Sequence, residues 1–149
     1  MANVHKDFHG CLSYALRFLE KELGWEGVDE FLRRVARTVY SPLVEALKRD
    51  GLIALELHWR RIMEIENANF EIRHEQNTLV LVVRRCPAIH HLRMRGYAVY
   101  DKFCETTRII NEEICRNAGY VSSINYDQES GSCTQRFWKA PQWFPAPSS

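Results

Sequence analysis

Residues Thr78–Pro87, TLVLVVRRCP, decide how the chain must be read. Thr78 to Arg84 is a run of Leu and Val too short for a helix and apolar on both faces, which is the signature of a strand buried on both sides. Upstream, Phe70 and Ile72 alternate with charged neighbours and Gln76-Asn77 supplies turn chemistry, so the stretch is the second strand of a hairpin. Cys86-Pro87 ends it, because proline offers no donor to a ladder.

Outward from this hairpin the period becomes helical. On the carboxyl side a short helix is expected over Ala88–Arg95, stopped by Gly96. A longer one follows, with Val99, Phe103, Thr106, Ile110 and Ile114 on its inner face and Gly119 past its end. Tyr120–Tyr126 and Ser132–Trp138 flank the polar turn Asp127–Gly131 and make a second hairpin. On the amino side, Leu12, Ala15, Phe18, Leu19 and Leu23 predict a helix ended by Gly24. Val28, Phe31, Leu32, Val35, Val39, Leu43 and Leu47 predict another, kinked or split by Pro42, and Leu52, Leu55, Trp59 and Ile62 a third, to about Glu66. Helices followed by hairpin, helix and hairpin give an α+β domain, with an antiparallel sheet packed against helices, over residues 1–139. A Pro- and aromatic-containing tail, residues 140–149, carries Trp143 and Phe144.

The 149 residues carry 20 Lys plus Arg against 19 Asp plus Glu, a formal charge of +1. No global field draws such a chain to nucleic acid or an anionic membrane, and neither is expected as a partner. No apolar run approaches a membrane span, and Met1–Gly10 is too polar for a secretory leader, so a cytoplasmic protein is expected. Broad apolar helix faces favour a homo-oligomer. Five cysteines, an odd number in a chain able to bury a core, point to free thiols rather than a disulfide framework.

Gln76–Tyr100 contains no acidic residue but holds Arg84, Arg85, His90, His91, Arg93 and Arg95. Guanidinium groups bind carboxylates through paired hydrogen bonds, so this stretch reads either as a seat for a small anion or as a solvated face balanced by acids elsewhere. Cys86 and His90 form an i, i+4 pair if the helix starts after Pro87. Cys104 borders an apolar helix face in line with Arg108, Asn111 and Cys115, and Cys133 alternates with Gln135 and Phe137. The thiols have three competing readings. They are buried filler, or ligands with His90 for zinc or another divalent ion, lacking the paired CxxC spacing of reliable zinc sites, or nucleophiles beside His90, His91 and Arg108. Cys104 is expected to be the most reactive. His5, His9 and His74 are expected at the surface, Cys11 and Cys115 in packing roles, and His58-Trp59 at the core edge.

Strand, Arg85-Cys86-Pro87, short helix, Phe103-Cys104, a helix reaching Gly119, then Gly131-Ser132-Cys133 and Phe137 resembles the L-2-amino-thiazoline-4-carboxylic acid hydrolases over nearly the whole chain. Thr106 and Thr107 stand where that family often has an aspartate. A more distant likeness is to the vinyl reductase domain and transport-particle subunits. The first resemblance implies a hydrolase that opens a carbon–nitrogen bond in a small anionic ring. Cys104, or else Cys86, would supply the nucleophile within a site shared with Cys133. His90 or His91 would shuttle the proton, and Arg84 or Arg93, with Arg108 and Asn111 nearby, would hold the substrate. The second implies a non-catalytic small-molecule-binding or sensor domain.

Overall fold

The structure, a computed structural model, describes residues 5–142. Its elements run α1 (Phe8–Thr38), α2 (Ser41–Asp50), α3 (Leu52–Ile65), β1 (Asn69–Glu75), β2 (Thr78–Arg85), α4 (Pro87–Met94), α5 (Glu105–Ala118), β3 (Tyr120–Asp127) and β4 (Ser132–Lys139). The two hairpins join into one antiparallel sheet in the order β1-β2-β4-β3, so the decisive strand β2 is central. This is the α+β architecture expected from the sequence. Trp143 and Phe144 lie outside the described residues.

The breaks in the helical half have local causes. Gly24 interrupts α1 with φ 71° and ψ −178°, a conformation costly for any residue with a Cβ. Pro42 falls in the first turn of α2, where its missing N–H is harmless, and the chain bends just before it at Val39-Tyr40. The apolar face of α1 is rotated from the expected one. Leu16 is fully buried with Leu12 and Leu19 beside it, whereas Phe18 and Leu23 are each 63% exposed.

In β2, alternation sends Leu79, Leu81 and Val83 to the helix-covered face, opposite Phe137, Gln135 and Cys133 of β4. Val80, on the other face, is also fully buried. The core forms three clusters. One lies under α1, α4 and the start of α5, one under α2, α3 and the end of α5, and a smaller one surrounds Met63, Leu81 and Val83. The space between them becomes the site.

One expected helix is shorter than its periodicity implied. Val99–Cys104 is irregular and α5 begins at Glu105. Tertiary hydrogen bonds take the backbone groups a helix would use. Ser13 accepts from Tyr100 N and donates to Ala98 O, while Gln128 donates to the Tyr100 and Asp101 carbonyls and accepts from Cys104 N. Buried backbone groups need a partner, and here side chains supply it.

Candidate active site

A cavity of about 390 Å3 opens between α1, α3, α4, α5 and the helix-covered face of the sheet. That volume suits a small organic molecule. Cys86, Cys104 and Cys133 all line it, from the end of β2, the start of α5 and β4 respectively.

Each thiol has a local reason to be there. Cys86 keeps an extended backbone, φ −65° and ψ 122°, as residues before proline do, and so caps α4 instead of joining it. Its N–H is donated to Gly131 O at 2.7 Å. Gly131 has φ 71° and lies against Ile89, where an added Cβ would sit 3.3 Å from a methyl carbon, so glycine permits this docking of the β3–β4 turn. Cys104 precedes the first residue of α5, its N–H held by Gln128 Oε1 at 3.0 Å. Cys133 accepts a hydrogen bond from Gln135 Nε2 at 3.4 Å, and Gln135 Oε1 takes the amide of Asn111 at 2.8 Å. Asn111 and Gln135 are buried and line the cavity.

Burial pushes all three thiols up. Cys104 rises to about 12, with Cys86 and Cys133 beside it adding to the effect. Cys86 also rises through burial, although the N–H groups of Ile89 and Ala88 at the start of α4 pull the other way. Cys133 rises through burial despite the bond from Gln135. All three are therefore held as neutral thiols. Among them Cys86 alone has helix N-terminal donors favouring its thiolate, which shifts the best nucleophile candidate from Cys104 to Cys86.

None of the remaining candidates lines the cavity, although the charge of Arg93 reaches Cys86 and Cys104 and acts to lower both. His90 is exposed and does not line the cavity, because Cys86 lies before the helix and the i, i+4 pair shares no face. His91 is bonded to Asp7 at 2.9 Å. Arg84 follows Val83 and so points to the opposite face of the sheet, where it pairs with Glu71 at 2.6 Å. Arg93 donates to Gln128 O at 3.0 Å, and Arg108 is held between Glu105 and Glu112. The cavity lining contains no Lys or Arg among the described residues. Nor does any group of three or more His, Cys, Asp or Glu among them have an arrangement that holds a metal ion.

Sequence reasoning missed polar groups that share the cavity with the thiols. His9, expected at the surface, is 7% exposed, and its Nε2 lies 2.5 Å from Oε1 of Glu66, which is equally buried. Both line the cavity, and Lys6 donates to the Glu66 carbonyl at 2.6 Å. The spacing of His9 with Leu12 and Leu16 on one helix face was the available signal. His58 and Trp59 line the same cavity. Buried His58 Nε2 and Trp59 Nε1 bond to none of the described residues. Burial lowers the pKa of His58 and the charge of Arg61 assists, leaving an uncharged imidazole at neutral pH. Thr106 and Thr107 also face the cavity.

No protein-family model matches the chain, and no curated protein matches it.

Proposed function

We propose that the cavity is the active site of a hydrolase that opens a carbon–nitrogen bond in a small ring with an amidine- or lactam-like carbon. The observation that carries this reading is the meeting, in one largely apolar cavity, of thiols from three separate elements with a buried His9–Glu66 pair. The resemblance to the thiazoline carboxylate hydrolases supports the same chemistry. Glu66 orients the imidazole, as a carboxylate does for a general base, and His9 exchanges the proton. In the proposed step His9 takes a proton from water or from the Cys86 thiol, and the resulting nucleophile adds to the ring carbon. The carbon–nitrogen bond then breaks and the leaving nitrogen receives the proton; if the thiol attacks, water next releases the product from Cys86. With no cation in the described lining, a substrate carboxylate has no counter-ion there, so the anionic-substrate expectation is not part of this proposal.

Ring opening of 2-amino-2-thiazoline, with and without a 4-carboxylate, followed by NMR, tests the reading. His9→Gln is expected to lower turnover at least 100-fold with binding retained, and Cys86→Ala to do so if the thiol attacks. The alternative, a non-catalytic small-molecule-binding domain, is favoured by the raised thiol pKa values. It predicts binding without turnover in the parent protein and unchanged affinity in Cys86→Ala and Cys104→Ala.

A further inference from the structure

The first half of α1 has an apolar sector wider than its own domain covers. His9, Ser13 and Leu16 face inward, and Leu12 and Leu19 lie partly buried at one border. Beyond that border Phe8, Cys11, Ala15 and Phe18 are exposed, the two phenylalanines by 49% and 63%. Residues three and four apart share a helix face, so these four make one seam of the kind that pairs helices. The seam reads the same in both directions. Its spacing is three, four, three, and its side chains run large, small, small, large.

We infer that a second copy of this chain docks antiparallel along this seam, about a two-fold axis. Phe8 then meets Phe18 of the partner subunit and Cys11 meets Ala15 of the partner subunit. The small pair lets the helix axes approach to about 8 Å, and each Phe pair fills the space beyond it. The flanks carry complementary charge in this register, because Asp7 comes opposite Lys21 of the partner subunit, twice by symmetry. Both charges are open to such a contact. Lys21 is exposed and in no ion pair among the described residues, and Asp7 is 40% exposed with His91 and Tyr97 both on its Oδ1. A parallel pair would set Asp7 against a leucine, Leu12. Phe8 is also the one exposed residue among the described residues that line the cavity, so the partner's Phe18 packs at its mouth. The inference rests on this surface and not on the chemistry proposed for the cavity.

Sedimentation equilibrium of the full chain between about 1 and 500 µM tests it, the range in which an interface of modest area dissociates. The parent is expected to pass from monomer to dimer and Phe18→Glu to stay monomeric. Lys21→Glu should weaken the dimer at least ten-fold, since it turns two attractions into two repulsions. With oxidised glutathione, Ala15→Cys should form a covalent dimer at least ten-fold faster than the parent, because the inverted register sets position 15 against Cys11. Alkylation of Cys11 should slow as protein concentration rises, while in dilute protein it stays the first thiol to react. A parent that is monomeric throughout, or a dimer indifferent to Phe18→Glu, overturns the inference. So does a dimer within two-fold of the parent in Lys21→Glu, or a parent that cross-links as fast as Ala15→Cys, which would set Cys11 against Cys11.

Discussion

Two buried polar regions flank α5, and they are built in opposite ways. On the side facing α1, Glu113 is wholly inaccessible and receives Arg33, Arg37 and Arg116, at 3.2, 3.1 and 2.7 Å, with Asn117 at 3.2 Å. On the side facing the cavity, Asn111 is satisfied by Gln135, but the three thiols around the same space are raised by burial and none is bonded to a charged group. A closed network of charges fixes the packing of α5 on α1, whereas the cavity side is lined by uncharged, desolvated groups.

The contrast breaks first at Glu113. Glu113→Ala removes the shared acceptor of three partly exposed arginines, and a loss of about 3 kcal/mol is expected in urea unfolding, with binding of 2-amino-2-thiazoline in the cavity unchanged. A variant that folds as stably as the parent would remove the network from the scaffold.

Acid should act through the same residue. Burial raises the Glu113 carboxyl, but Arg116, Arg37, Asn117 and Arg33 outweigh it and hold it down at about 2. A depressed carboxylate contributes stability that is complete above its unfolded pKa of about 4.5 and is lost as pH falls through the folded value. At about 1.4 kcal/mol per unit, roughly 3 kcal/mol should disappear between pH 5 and 2. Urea midpoints across that range check it, and in Glu113→Ala this part of the pH dependence should be absent.

The open side should respond much less in stability. His58→Phe removes a buried atom that bonds to nothing, so a change within about 1 kcal/mol is expected from melting curves, stabilising as readily as destabilising. A loss several times larger would show that His58 belongs to a closed network.

The smallest effect separates the thiols by access. Cys11 is exposed, while Cys104 and Cys115 are each pushed to about 12 by burial. Iodoacetamide at pH 8 with peptide mapping is therefore expected to label Cys11 first and Cys115 last. This replaces the expectation of Cys104 as the most reactive thiol, because a buried thiol without a bonded base stays protonated.

The order of elements was legible in the sequence because it depends on neighbours a few residues apart. The doubly apolar run of β2, the turns at Gln76-Asn77 and Asp127–Gly131, and the breaks at Gly24 and before Pro42 all act locally. The inward aim of Cys133 also followed from alternation with Phe137, and the outward aim of Arg84 could have been read from Val83 in the same way. What only the tertiary structure decided depends on partners far away in the chain. Val99–Cys104 gave up its helix to Ser13 and Gln128, and His9 went inside because Glu66, 57 positions on, meets it there. The arginines found acids or carbonyls outside the cavity instead of a ligand. Periodicity specifies which face of an element is buried. Which polar groups then meet, and which are left without a partner, is set by the packing of elements against one another, and that geometry makes the site.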